Sequence, residues 1–283
     1  MNASRRVLVT GANGYVGRHV VIAAADAGHD VTAVVRPGSV SDIDPRARVV
    51  EADILESGFD VTTLDDQAPD VVIHLAWQDG FRHNASSHML MLSGHFALLE
   101  HLAEWGVGHL SVLGTMHEVG YWEGAIDADT PTAPTTLYGI AKDALRRSAF
   151  ATVAQRVPLT WLRCYYIYGD DRRNNSIFAR LLEAVDAGKP TFPFTTGKNR
   201  YDFITVDELA RQIVAASTQE TLLGVINCAT GEPMSLAEKV EEFIRDNDLP
   251  ITLEYGAFPD RPYDSPGVWG DAAAIRSIMA AAD

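Results

Sequence analysis

Cysteine is scarce in this chain. Only Cys164 and Cys228 occur in 283 residues, each inside an apolar, strand-like run (LTWLRCYYIYG and GVINCATG). Two such thiols, without metal-ligand spacing, exclude a disulfide scaffold and a zinc site, and they suit a reducing compartment. Long apolar runs are missing too: none approaches the ~20 residues needed to cross a bilayer, so no membrane partner is expected. The N-terminus, MNASRRVLVTGANG, enters a strand pattern at once and leaves no room for an apolar signal segment, which makes the cytoplasm the expected location. Basic residues are few, 23 against 38 acidic ones, for a net charge of −15. A surface this acidic does not grip a phosphate backbone over a broad face, so nucleic acid is not an expected partner. A phosphorylated small molecule would have to be held by a few local arginines and by helix N-termini.

What is present is an alternation. Short apolar runs at VLVT (7–10), DVTAVV (30–35), ARVVEA (47–52), DVVIHLA (70–76), HLSVLG (109–114) and PLTWLRC (158–164) alternate with helical patterns. Near-continuous apolar strands between helices predict an α/β fold, a doubly wound parallel sheet covered on both faces, with ligands at the carboxyl ends of its strands. After residue 170 the rhythm loosens, and VINCA (225–229) is expected to rejoin the large sheet. The expected division is 1–169 with 201–229 as the dinucleotide-binding domain, and 170–200 with 230–283 as a small C-terminal substrate lobe. The helix expected over 87–105 is apolar nearly all round, so a second face needs cover and a homodimer is expected. His88, His95 and His101 are expected at the edges of that helix.

The run VLVTGANGYVG places Gly11, Gly14 and Gly17 between a strand and a helix. Glycine permits a sharp turn and a close approach to a diphosphate, and the helix N-terminus adds N–H donors. This is the phosphate loop of a Rossmann fold, spaced G-x-x-G-x-x-G. At the end of the next strand, where an acid would hold the ribose hydroxyls of NAD, stands Arg36. A guanidinium there accepts a 2′-phosphate, so NADP(H) is the preferred cofactor expected, with NAD(H) possible.

In LYGIAKDALRR, Tyr138 and Lys142 lie four apart, which puts a phenol and an ammonium on one helix face. With the glycine loop and the strand rhythm, the chain resembles the extended short-chain dehydrogenase/reductase family of nucleotide-sugar epimerases, dehydratases and ketoreductases. GANGYVG is similar to its phosphate loop, Asp53-Ile54 to its adenine-contacting pair, and HLAW (74–77) to the strand end under the nicotinamide. GTMHEVG (114–120), YGIAK, RCYYIYG (163–169) and YDFITVDELA resemble further family motifs. The resemblance implies Thr115, Tyr138 and Lys142 as catalytic residues: the tyrosine as acid/base, the threonine on the reacting oxygen, and the lysine on the nicotinamide ribose. The lysine would also depress the tyrosine pKa, since a cation within ~4–6 Å lowers a neighbouring acid. Cofactor contacts are implied at Gly11, Asn13, Gly14, Tyr15, Val16, Gly17, Arg36, Asp53, Ile54, Leu75, Ala76, Trp77 and Tyr165. Substrate contacts are implied at Met116, His117, Asn175, Arg200 and Arg261.

Departures narrow the chemistry. Dehydratases of the family follow the threonine with Asp-Glu; here stand Met116 and His117, and methionine moves no proton, so elimination loses its acid. The leading expectation is an NADPH-dependent reductase of a 4-keto-6-deoxy sugar nucleotide. The alternative is a nucleotide-sugar 4-epimerase with tightly held NAD, and a regulatory protein that only senses the cofactor is a third reading.

Overall fold

The computed structural model describes residues 4–39, 42–174, 176–260 and 264–282. Two of the expected substrate contacts, Asn175 and Arg261, lie outside the described residues. Seven strands form one parallel sheet: β1 (Arg6–Thr10), β2 (Asp30–Val35), β3 (Arg48–Glu51), β4 (Val71–His74), β5 (His109–Thr115), β7 (Leu159–Cys164) and β12 (Gly224–Cys228). Their order, β12-β7-β5-β4-β1-β2-β3, reverses between β1 and β4. That reversal is the topological switch point, where doubly wound sheets open a crevice.

The strand sequences explain both faces. Successive side chains point to opposite sides. Val7, Val9, Val31, Ala33, Val71 and Ile73 pack with α1 (Gly17–Asp26), α6 (Val206–Thr218) and α8 (Ala273–Ala282). Leu8, Val34, Val72, Leu110 and Val112 turn the other way, against α3 (Leu92–Trp105) and α4 (Leu137–Ala151). Each face is buried against helices, which is why the runs read as near-continuous apolar stretches.

A third core holds the lobe. Its four-stranded sheet runs β13 (Met234–Ser235), β10 (Arg200–Tyr201), β15 (Gly267–Gly270) and β6 (Gly124–Ile126). Two short parallel pairs flank it, β8 (Tyr166–Tyr168) with β11 (Phe203–Thr205) and β9 (Thr191–Pro193) with β14 (Thr252–Glu254). α5 (Ile177–Asp186) and α7 (Leu236–Asp246) supply Phe178, Leu181 and Val240 to this core.

Three elements fall elsewhere than expected. β6 lies within 1–169 yet pairs with β15 of the lobe. α8 lies within 230–283 yet seats Ile275 and Ile278 on the large sheet. The helix expected over 87–105 breaks at Met91 into α2 (Ser87–Leu90) and α3, and two of its histidines, His88 and His95, are buried rather than at the edges. Both face polar partners that local periodicity does not reveal.

Candidate active site

The site begins at the switch point. β1 and β4 run in register, Thr10 beside His74, so their following residues meet at the carboxyl edge. Gly11 has φ +68°, and a Cβ there would lie 2.7 Å from the backbone of Ala76. A Cβ on Gly17 would lie 2.1 Å from the Gly11 carbonyl oxygen, so the first turn of α1 also needs glycine. The result is a tight cradle of backbone amides at a helix N-terminus, a shape that fits a diphosphate. Asn13 donates to Ser39 Oγ at 3.0 Å, and Tyr15 donates to the Gly169 carbonyl at 2.7 Å. Val16 is the residue before α1 and packs toward the core. Arg36 is an exposed turn residue after β2. Beside it, Glu51 at the end of β3 accepts the Gly38 N–H at 2.7 Å. Asp53 is exposed, with Ile54 buried behind it. These residues would hold a dinucleotide at the carboxyl ends of the strands.

Beside this cradle the three expected catalytic residues come together. Thr115 ends β5, and its extended backbone caps the short turn at 116–118. α4 starts at Leu137 because its first amides find partners. Thr136 Oγ1 accepts from Gly139 N at 3.2 Å, the His83 carbonyl from Tyr138 N at 2.8 Å, and Asn84 Oδ1 from Leu137 N at 3.3 Å. This holds Tyr138 over Thr115, and the two side chains share a hydrogen bond. Lys142, one turn on, is buried and donates to the Leu113 carbonyl at 2.6 Å. Its Nζ also sits 3.8 Å from the centre of the Trp77 ring, a cation–π contact.

Burial pushes the Tyr138 phenol well above its ordinary value, and the Thr115 hydrogen bond draws it back. Burial also pulls Lys142 down to about 8, with Glu118 and Cys164 opposing. His117 falls to about 4 through burial and the neighbouring His83, so it is neutral. His83, from the loop before α2, stacks on Tyr138 with centroids 5.5 Å apart and lies 4.3 Å from His117.

Behind Lys142 runs a buried polar chain that sequence reasoning missed. Thr10 Oγ1 meets His74 Nδ1 at 2.7 Å, and His74 Nε2 meets His95 Nδ1 at 3.0 Å. The His95 ring stacks on Trp77 at 4.3 Å. Trp77 Nε1 donates to His88 Nδ1 at 3.0 Å, so the other His88 nitrogen carries the proton toward the Arg82 carbonyl.

Other expected contacts are occupied by packing. Met116 is buried in the lobe core with Ile126 and Tyr165. The Tyr165 hydroxyl donates to Asn227 Oδ1 at 3.1 Å. Leu75 is buried in one core, and Ala76 packs against the core on the other face of the sheet. Arg200 is exposed on the lobe and donates to the Pro233 carbonyl at 2.8 Å, away from Tyr138's neighbours.

Known proteins agree with this architecture. A protein from Aggregatibacter actinomycetemcomitans named dTDP-6-deoxy-L-talose 4-dehydrogenase (NAD(+)) is 43% identical over 267 residues, 93% of this chain and 98% of its own. A probable UDP-glucuronate 4-epimerase of Rhizobium meliloti is 27% identical, covering 83% of this chain and 80% of its own. A UDP-glucuronic acid 4-epimerase from Bacillus cereus, solved with UDP-glucuronic acid and NAD, shares the fold with a TM-score of 0.79. It is 23% identical, with 97% of this chain and 93% of that one covered. The family profile described as the NAD dependent epimerase/dehydratase family matches residues 7–229. With the phosphate cradle at the switch point and Thr115, Tyr138 and Lys142 gathered beside it, the chain belongs to the NAD-dependent epimerase/dehydratase family, within the extended short-chain dehydrogenases/reductases.

Proposed function

We propose that the protein interconverts the 4-keto and 4-hydroxy forms of a nucleotide-linked 6-deoxyhexose and works as a reductase on the ketone. The observation that carries this is the convergence of the Thr115 and Tyr138 hydroxyls in front of Lys142, next to the dinucleotide cradle. The likeness to the 6-deoxy-L-talose dehydrogenase supports the sugar class. The nicotinamide, when bound, supplies the hydride chemistry at carbon 4. The chain's own residues handle the oxygen. Thr115 holds it by a hydrogen bond, and Tyr138 gives it a proton as negative charge develops. A phenol kept protonated by burial suits the donor role, which favours reduction. Lys142 would hold the ribose, and the neutral His83 and His117 imidazoles would meet sugar hydroxyls. Arg200 would meet the diphosphate only if the lobe brought it nearer.

For the cofactor, Arg36 alone supports NADP(H). Glu51 beside the same turn brings a carboxylate that would repel a 2′-phosphate, and the 43% relative is named for NAD(+). The proposal therefore takes NAD(H). A 4-epimerase uses the same three residues, and the resemblance to 4-epimerases supports it as the second reading. Mass spectrometry of the purified protein separates them, since an epimerase retains its NAD. A homodimer is supported by the exposed Met89 (41%) and Leu90 (77%) on α2, near Ile140 of α4. Buried free thiols at Cys164 and Cys228 support a cytoplasmic setting.

The test is Tyr138→Phe, assayed with a dTDP-linked 4-keto-6-deoxyhexose by the absorbance of NADH. Turnover should fall by roughly 10²–10⁴ with NADH affinity retained. Turnover within about threefold of wild type would remove Tyr138 from the mechanism.

A further inference from the structure

Directly beneath Thr115 lies a carboxylate that none of the catalytic roles above uses. Glu118 is completely buried. Its Oε1 accepts two hydrogen bonds, from Thr115 N at 2.7 Å and from Trp161 Nε1 at 2.8 Å. Its Oε2 faces two guanidinium groups, Arg146 Nε at 3.5 Å and Arg163 Nε at 3.7 Å, but accepts no hydrogen bond. The pocket is shaped for it: a Cβ on Gly114 would lie 2.1 Å from Trp161 Nε1 and 2.7 Å from Glu118 Oε1. Burying a carboxylate with one oxygen unsatisfied is costly for stability alone. A hydrophobic side chain would fill the same space at less expense, so the position asks for another reason.

We infer that Glu118 is a positioning residue for the reaction: it clamps the Thr115 backbone so that the threonine hydroxyl meets Tyr138, and it sets a buried negative charge behind the Tyr138–Lys142 pair. The clamp is a capping box, in which Thr115 Oγ1 accepts from the turn while Glu118 returns to the Thr115 amide. One rotamer of Thr115 is thereby held before substrate arrives. The charge acts on the same two groups. Glu118 pulls the Lys142 pKa up against burial and pushes Tyr138 up further. It favours the ammonium and the protonated phenol together, the state a reductase needs. The ionisable groups facing Glu118 are Arg163 and Cys164 from β7, Tyr165 just after it, and Arg146, Lys142 and Tyr138 from α4.

The inference rests on the proposed catalytic roles of Thr115 and Tyr138, and the experiment separates the two. Glu118→Gln keeps an acceptor for the Thr115 and Trp161 donors and removes only the charge. Wild type, Glu118→Gln and Tyr138→Phe are compared in kcat, KM and the pH profile of kcat, with NADH binding and melting as checks of folding. The alkaline limb of Glu118→Gln should move down by roughly one pH unit, because the lost anion no longer raises either group. Its kcat should fall about tenfold or more with KM nearly unchanged, as expected for a mispositioned catalytic group. An unmoved limb, or a loss confined to KM, overturns the inference. Should Glu118→Gln fail to fold, Arg146→Gln takes its place: removing a cation from the cluster, where Arg146 is 16% exposed, should move the limb upward, and an unmoved limb again overturns it. If Tyr138→Phe stays active the catalytic reading itself fails. If Tyr138→Phe is inactive and the limb is unmoved, only the role of Glu118 fails.

Discussion

Mild acid should weaken this protein well before its carboxylates titrate, and buried histidines set the size of the effect. Burial pulls His74 to about 3, His95 to about 2 and His109 to about 4, from an ordinary 6.5. All three are almost fully shielded from solvent. Because each folded value lies below the unfolded one, the unfolded chain binds the extra proton, and stability is lost as pH falls through 6.5. At pH 5.5 each folded imidazole is neutral while each unfolded one is mostly charged, so each costs about 1.4 kcal/mol. These three cost about 4 kcal/mol, and His117, held near 4 by burial and His83, adds about as much as one of them, together a large share of the 5–15 kcal/mol typical of a domain. The depth of the folded values does not matter at that pH, only that they lie below it. Glu118, whose pKa is raised by burial, works in the opposite direction by at most one proton. Urea unfolding at pH 7.5 and 5.5 measures the difference, with a slope near pH 5.5 of roughly three to four protons. His109→Gln, which keeps a group able to reach Thr160, should lower that slope by about one proton. Equal unfolding midpoints at the two pH values would refute the reasoning, since they would mean the imidazoles titrate alike in both states.

Gly11→Ala should weaken NADH binding by more than about tenfold in calorimetry, because the added Cβ pushes the loop off Ala76 and the positive φ is strained; unchanged affinity would mean the cradle is not the diphosphate site. Trp77→Phe leaves His88 Nδ1 without its donor and weakens the contact with Lys142, so stability should fall by about 1–3 kcal/mol in urea unfolding, and an unchanged midpoint would count against the buried chain. Arg36→Asp should leave NADH affinity near wild type, while Glu51→Gln should raise NADPH affinity by roughly tenfold; a large loss of NADH binding in Arg36→Asp would return Arg36 to the cofactor site. Light scattering at micromolar protein should report a dimer mass, and a monomer would leave Met89 and Leu90 as ordinary surface.

Local pattern was enough for the sheet. The inner strands are short apolar runs because they are buried on both faces, the exposed edge strand β3 keeps only Val49 and Val50, and Gly14 and Gly17 betray the cradle through local contacts with Gly11. Thr115, Tyr138 and Lys142 could be found by likeness. What they do to one another could not, because it depends on directions in space. Lys142 donates to Leu113 and lies over Trp77, and nothing at spacing four says so. The same limit hid the path from His74 to His88, whose members come from a strand end, a loop and two helices. It also hid α8, whose pattern of spaced apolar residues would fit any surface, and β6, three residues with no period to read. Glu118 was invisible for a different reason. A glutamate three residues after a threonine reads as a routine helix start, and only the packing of Trp161 and Arg163 around it shows that it is enclosed.

The place of α8 bears on how the chain reaches this state. Ile275 and Ile278 close the same core as Val7, Val9 and Ile213, so the flank carrying α1 and α6 remains partly bare until the last segment arrives. Between β12, which ends at Cys228, and α8, which begins at Ala273, lie 44 residues (273 − 228 − 1), and a ribosome adding roughly 5–20 residues each second needs several seconds to deliver them. Contacts so distant along the chain also form slowly, since a long loop must close first. During that interval the nascent protein presents an apolar surface next to a finished cradle. Chaperone binding should therefore concentrate on chains arrested between residues 230 and 270, and fade once the final helix has docked.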